Sequence, residues 1–263
     1  MKITVIGAGN MGGAITCGLG NSKLIGGLEI RCSDLMPEKL NMIKEANASI
    51  EVMTDNTAAV AGADIVIIAV KPRLVETVIG EIREALDYDR QIIVSIAAGI
   101  DFEKLCRYLK KEDDGLPAIF RVIPNTAIAV RESVNFISAF NATPAQSDLV
   151  TNIFDRLGLT FCIEERLMVA GTALASCGIA FAFRYIRAAV EGAVELGLPP
   201  EQAKKIVMQT LRGAITLLET NGSHPEVEID KVTTPGGITI KGLNTMEEAG
   251  FTNAVIKGLK ASV

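Results

Sequence analysis

A single histidine, no tryptophan and an aromatic content of 5% leave several common functional sites without parts. Clustered imidazole metal sites are excluded, and a Ser-His-Asp triad would have to be assembled on His224 alone. Lysine and arginine number 26 against 31 acids, for a net charge of −5. No run of five basic residues marks a nucleic-acid or anionic-membrane surface, so neither partner is expected. The five cysteines, at 17, 32, 106, 162 and 177, are odd in number and far apart, with no CxxC pair. That excludes a zinc or dithiol motif and fits reduced, mostly buried thiols of a cytoplasmic protein. Unbroken apolar stretches such as Ile65 to Val70 fall far short of the roughly 20 residues that span a bilayer, and glycines at 7, 9, 12 and 13 interrupt the N-terminal apolar run. No signal peptide or transmembrane segment is expected. A chain so poor in catalytic groups is expected to borrow a cofactor.

What is present is a strong alternation of short β-branched runs with helix-compatible segments. From Lys2 to about Glu164 the runs are ITVIG, EIRCSD, SIEVMT, DIVIIAV, QIIVSIA, FRVIP, VNFISAF and LTFCIE. Several are apolar almost throughout, as strands of a parallel sheet covered on both faces should be. Intervening segments such as PEKLNMIKEA and TPAQSDLVTNIFDRLG open on Pro or Thr-Pro and carry apolar residues at helical spacing. The expected fold is α/β, an N-terminal doubly wound Rossmann sheet over 1–163 followed by an all-helical domain over 164–263. In the second part, a helix from about Leu167 to Leu196 is crowded with small residues and breaks at GLPPEQ. So apolar a helix is expected to be buried against its own domain and against a partner subunit, making a homodimer or larger homo-oligomer.

Gly7, Gly9 and Gly12 form GxGxxG directly after the first run and before the first helix. In that context Gly7 makes the tight turn, Gly9 admits a pyrophosphate and Gly12 lets the helix pack on the strand. A tight glycine turn without a ligand is the plainer alternative. The second run ends at Ser33-Asp34. An acid there would bond the 2′-hydroxyl of NADH, whereas a hydroxyl or a base would suit the 2′-phosphate of NADPH. Neighbouring residues of a strand point opposite ways, and Asp34 also qualifies as a plain helix cap.

At AVKP (69–72), VSIAAGI (94–100), RVIPNT (121–126) and VTTPGGITI (232–240) the chain resembles the pyrroline-5-carboxylate reductase family. The resemblance also takes in the GLP break and His224-Pro225. It implies reduction of 1-pyrroline-5-carboxylate, a small imino acid, to L-proline, with NADPH as the expected cofactor and NADH admitted by Asp34. Matched position by position, Gly7, Ala8, Gly9, Asn10 and Met11 form the pyrophosphate loop, and Ser33 lies near the adenosine ribose. Asn56, Ala69, Val70, Lys71, Pro72, Ala97, Ala98 and Gly99 match positions lining the nicotinamide side. Thr234, Gly236, Gly237 and Thr239 match the loop that holds the substrate carboxylate, an anion site of backbone N–H groups and a hydroxyl at a helix N-terminus. An ordinary helix cap is its alternative.

The chain departs from the family at Ala175 to Phe181 (ASCGIAF), where serines, a proline and a tyrosine are missing, and at Ile123 and Ala127. Thr172 is then the polar group expected near the imine, and Thr172 and Thr239 are the candidate catalytic hydroxyls. Lys71 is read equally as a proton donor or a solvated side chain, His224 as a turn residue and Cys177 as a small hydrophobe. Two competing functions remain. One is a reductase of the same architecture acting on another small cyclic imine or on a 3-hydroxy acid, the latter needing a lysine that the helix 167–196 lacks; the other is a silent dinucleotide-binding paralogue, which would have no use for a carboxylate loop.

Overall fold

In a computed structural model describing residues 1–21, 27–112 and 115–263, the chain divides into two compact units, Met1–Ser176 and Cys177–Val263. The first contains β1 (Lys2–Ile6), α1 (Asn10–Gly20), β2 (Glu29–Ser33), α2 (Pro37–Ala46), β3 (Glu51–Met53), α3 (Asn56–Val60), β4 (Ile65–Ile68), α4 (Val75–Ile82), β5 (Ile92–Ser95), α5 (Phe102–Leu109), β6 (Ala118–Ile123), β7 (Ser133–Phe140), α6 (Pro144–Phe154), β8 (Gly158–Cys162) and the short α7 (Met168–Gly171). Every apolar run read from the sequence is a strand of one sheet, ordered β3-β2-β1-β4-β5-β6-β7-β8. The division into units falls later than the compositional change at 163 because α7 stays with the sheet. A Cβ on Gly171 would stand 2.8 Å from the Phe136 ring, so a residue without a side chain is needed where that turn meets β7.

All neighbouring strands run parallel except β6 and β7. Segment 124–132 is shorter than the dozen or so residues of a parallel crossover, and it reverses at Arg131, whose φ is 62°. Both faces of the sheet are covered. Along β4, Ile65 and Ile67 join one core with Ile3, Val5, Ile15 and Phe120, while Val66 and Ile68 join the other with Val75, Ile79, Ile82 and Leu105. Each such side chain contributes about 1.5–3 kcal/mol by leaving water, which is why a continuous apolar run is a central strand here. The proline-led segments form α2 and α6 as expected. In α6, Thr143 and Gln146 make a reciprocal capping box with Pro144 in the first turn.

The second unit is helical: α8 (Gly178–Glu195), α9 (Pro200–Asn221), α10 (Pro225–Val232), α11 (Ile238–Glu248) and α12 (Phe251–Lys260). The α8–α9 break lies where the sequence places it, with Gly197 at φ 95° and Pro200 opening α9. The continuous helix expected from 167 to 196 is interrupted, however, by a π-helical segment, Thr172–Cys177. Burial against its own domain is met only at the start of that stretch, by Met168, Gly171 and Ala173, and by no residue of α8. In this unit Ala203 is the one buried hydrophobe among the described residues, while Phe183 is 60% exposed, Leu196 87% and Ile238 87%. The helices present more apolar surface than a bundle of this size can cover by itself. The run Glu165–Glu195 averages a mean hydropathy of 1.6 over its most apolar window and is long and apolar enough, by length and composition, to cross a membrane. Unbroken apolar runs miss this because scattered Gly, Ala and Ser dilute the pattern without adding charge.

Candidate active site

The strand order reverses between β1 and β4, and in such sheets ligands bind outside the carboxyl ends of the strands at that point. Gly7, which follows β1, has φ 106°, and a Cβ there would lie 2.7 Å from the Ala69 carbonyl oxygen. A Cβ on Gly12 would meet the Gly7 carbonyl oxygen at 1.9 Å. These two glycines let the loop fold onto itself and onto the end of β4. Gly9 differs, since nothing lies within 4 Å of its Cβ position and its φ is an ordinary −70°. It is the N-cap of α1, yet no side chain caps that helix, so the N–H groups of Asn10 and Met11 at its positive end are uncapped by side chains. A bare helix N-terminus beside open space where a side chain would sit fits a dinucleotide pyrophosphate, and a merely structural turn does not require it.

On the β2 side the structure separates the two candidates. Ser33 is fully buried and its hydroxyl donates to Asn56 Oδ1 at 2.7 Å. Asn56, itself buried, donates from Nδ2 to Glu81 Oε2 at 2.9 Å. The family match groups Asn56 with the nicotinamide side, but the structure sets it beside Ser33, with both side chains turned inward by this relay. Asp34 faces the other way, accepting the Ala8 N–H on Oδ2 at 2.7 Å and the Met36 N–H on Oδ1 at 2.9 Å. It therefore fastens the glycine loop as well as the start of the next segment, a contact that no sequence spacing announces.

Ala69 and Val70, half-buried against the glycine loop, lead to exposed Lys71 and Pro72, where Lys71 caps a short turn through its backbone carbonyl. Ala97 is buried after β5, whereas Ala98 and Gly99 are exposed, with Gly99 at φ 75°. These loops lie at the carboxyl ends of the neighbouring strands β4 and β5, the first of them against the Gly7 turn. Sequence reasoning did not single out Asn125, which follows β6. Its side chain accepts the Ala127 N–H and donates to the Ala175 carbonyl at 3.4 Å, and Ser176 donates to the Pro124 carbonyl at 2.9 Å. Two side chains thus tie the π segment to the end of β6, at a kind of helix defect that recurs at functional sites. At the start of that segment the Thr172 hydroxyl donates to the Met168 carbonyl at 2.7 Å, so its proton is already engaged. Buried Arg121 pairs with Glu165 at 2.6 Å, and the same carboxylate oxygen accepts the Phe102 N–H, which holds the start of the apolar helical run against β6 and α5.

In the second unit, Thr234-Pro235-Gly236-Gly237 forms a tight turn closed by the Gly237 N–H donating to the Thr234 carbonyl at 2.9 Å, with Gly236 at φ 71°. Proline second and a left-handed glycine third is the pattern of a type II turn. The Gly237 N–H is therefore not available to an anion, which corrects, at Gly237, the expectation of backbone donors from both glycines. Further donors follow in α11, which no side chain caps and whose first turn carries exposed Thr239. The ordinary-cap alternative would put a threonine oxygen on that helix end, and Thr234 does not serve there. His224, as read from the sequence, is a turn residue: it caps α10, and its Nδ1 accepts the Glu226 N–H at 3.3 Å.

The five cysteines are free, but Cys162 is exposed and three others are half-buried, so the expectation of mostly buried thiols holds fully for Cys32 alone. Burial pushes the Cys32 thiol up to about 11 and also raises Cys17 and Cys106, which makes these three poor nucleophiles.

Comparison with known proteins agrees with this geometry. Residues 165–263 match the family model described as pyrroline-5-carboxylate reductase dimerisation, and residues 2–99 match the one described as NADP oxidoreductase coenzyme F420-dependent. The chain is 38% identical to pyrroline-5-carboxylate reductase 1 of Dictyostelium discoideum over 99% of its own length, and spans 48% of that longer relative. To the pyrroline-5-carboxylate reductase of Methanosarcina acetivorans it is 35% identical, covering 99% of this chain and 96% of that one. The crystal structure of 1-pyrroline-5-carboxylate reductase from Streptococcus pyogenes superposes with a TM-score of 0.86 at 30% identity, covering 100% of this chain and 96% of that one. Pyrroline carboxylate reductase of Plasmodium falciparum with NADP bound gives 0.88 at 26% identity, covering 100% and 95%. With full-length identity at this level, the chain belongs to the pyrroline-5-carboxylate reductase family.

Proposed function

We propose that this chain reduces 1-pyrroline-5-carboxylate to L-proline in the cytoplasm, as a homodimer or larger homo-oligomer formed through the helices after Glu164. Reduced nicotinamide, when bound, supplies the hydride to the C=N carbon. The family likeness points to NADPH, with NADH admitted by Asp34. Gly9 and the uncapped N–H groups of Asn10 and Met11 would hold the pyrophosphate, and the loops Ala69–Pro72 and Ala97–Gly99 would flank the nicotinamide. The remaining chemistry asks little of side chains. A cyclic imine that arrives protonated already carries the proton that its nitrogen keeps, so the protein has to orient the ring, screen it from water and hold its carboxylate. The Thr239 hydroxyl and the first N–H groups of α11 would hold that carboxylate without arginine. Thr172, whose proton is directed to the Met168 carbonyl, can still accept a hydrogen bond from an iminium N–H, which suits it to positioning rather than proton donation.

The observation that carries the reading is the uncapped first turn of α11 behind the Pro235-Gly236 turn, in a chain of this family. The test is oxidation of NADH and NADPH at neutral pH with 1-pyrroline-5-carboxylate, run beside 1-pyrroline-2-carboxylate and, in reverse, a 3-hydroxy acid. Turnover of the first substrate is expected. Tight cofactor binding with no reduction of any cyclic imine would sink it and bring forward the silent paralogue.

A further inference from the structure

We infer that Asp34 makes this chain select NADH over NADPH, an inference that rests on the dinucleotide reading of the glycine loop and deepens it. The residue that ends the second strand of a Rossmann unit meets the adenosine ribose. A carboxylate there accepts from a 2′-hydroxyl, whereas a 2′-phosphate needs a hydroxyl or a cation. In this chain the hydroxyl is removed from contention, because Ser33 is buried and donates inward to Asn56, whose amide is in turn held by Glu81. Arg31, the guanidinium on β2, is also engaged elsewhere. Its Nε donates to Glu51 at 2.8 Å and its Nη1 to the carbonyls of Ala58, Ala59 and Ala61.

Asp34 is the side chain set against the glycine loop, through the Ala8 N–H at 2.7 Å. Each of its oxygens accepts one backbone N–H, which leaves lone pairs for a ribose hydroxyl, and its side chain is still 12% exposed. The residues that follow, Leu35, Met36, Pro37 and Glu38, bring no side-chain donor to the site. Lys39 brings a cation, but its Nζ stands 3.7 Å from Asp34 Oδ2, so the carboxylate already balances it. A 2′-phosphate, with about 1.5 to 2 negative charges at neutral pH, would meet a carboxylate in place of a counter-charge.

Titrating the full chain with NADH and with NADPH, read by nicotinamide fluorescence, tests this without relying on turnover. The unmodified chain is expected to bind NADH at least about tenfold more tightly. Asp34→Asn removes the charge and keeps an oxygen for the Ala8 N–H, at the loss of the acceptor for the exposed Met36 N–H, so the ratio of the two affinities should fall toward one. Lys39→Gln removes the partly balancing cation and should widen the preference for NADH, which keeps the inference falsifiable if Asp34→Asn does not fold. Equal or tighter binding of NADPH by the unmodified chain, a ratio unmoved in Asp34→Asn, or a narrowed one in Lys39→Gln overturns the inference and leaves the dinucleotide reading standing. Binding of neither cofactor overturns both.

Discussion

Gly9 and Gly12 stand three residues apart in one loop, and the structure assigns them opposite kinds of necessity. At Gly12 an added Cβ would lie 1.9 Å from the Gly7 carbonyl oxygen and 2.9 Å from the Ala69 Cβ. Both obstacles are rigid parts of the fold, so Gly12→Ala should cost at least the upper end of the usual overpacking penalty, about 3 kcal/mol. With roughly 2–4 °C of melting temperature per kcal/mol for a chain of this size, that is a drop of about 6–12 °C. At Gly9 the backbone is one that any residue adopts and the Cβ position is empty, so Gly9→Val should melt within about 2 °C of the unmodified chain. Its effect should appear only with ligand. Displacing the pyrophosphate from even one backbone N–H removes a charged hydrogen bond of about 1.5–3 kcal/mol, which weakens cofactor binding by roughly 10- to 150-fold. The assay is thermal melting without cofactor at a fixed protein concentration, followed by fluorescence titration with NADH and NADPH. If Gly9→Val melted as low as Gly12→Ala, or bound cofactor as well as the unmodified chain, the distinction between a cradle and a packing glycine would be wrong.

Thr239→Val removes a hydroxyl from the first turn of α11 and should lower kcat/KM for 1-pyrroline-5-carboxylate by roughly 10- to 150-fold with little change in cofactor affinity; unchanged steady-state kinetics would refute the assignment. Light scattering at micromolar concentration should give at least twice the 27.9 kDa of one chain, and Phe183→Asp, on the exposed face of α8, should shift the mass downward. The Glu228 carboxyl is lowered to about 2, first by Lys231 and then by Ser223, against an opposing effect of burial. A lowered carboxyl stabilises the fold fully above its ordinary value of about 4.5 and loses that contribution as pH falls toward 2. The gap in melting temperature between the unmodified chain and Glu228→Gln should therefore be widest at neutral pH and close across that acid window. A gap that does not change with pH would contradict the ion pair.

How much of this was legible in advance depended on the range of the interaction that decides each feature. The central strands were readable because a strand buried on both faces must be apolar along nearly its whole length, and β4 and β5 are each buried at four consecutive residues, all of them apolar in β4 and all but Ser95 in β5. The glycine loop and the proline-led helix starts were readable because their geometry depends on a few neighbouring residues. The antiparallel turn of β7 was latent in the shortness of segment 124–132, although strand composition is silent on direction. Other features were settled by residues far apart in the chain. Ser33 and Asp34 are adjacent, and their alternation predicts opposite directions, but only the packing of Asn56 and Glu81 shows that the hydroxyl is the buried one and the carboxylate the one against the loop. The Gly236-Gly237 pair reads as a row of donors until the turn closes on the Gly237 N–H and takes it out of that row. The π segment arises where the helix backbone meets Pro124 and Asn125 some fifty residues away in sequence, a contact that helical periodicity cannot express. By itself, the sequence determined which segments are strands and helices and which chemistry the loops can support, because those follow from local sterics and burial. Which groups of each pair remain available to a ligand was decided by tertiary structure, because a donor or acceptor is available only if nothing else in the fold has already satisfied it.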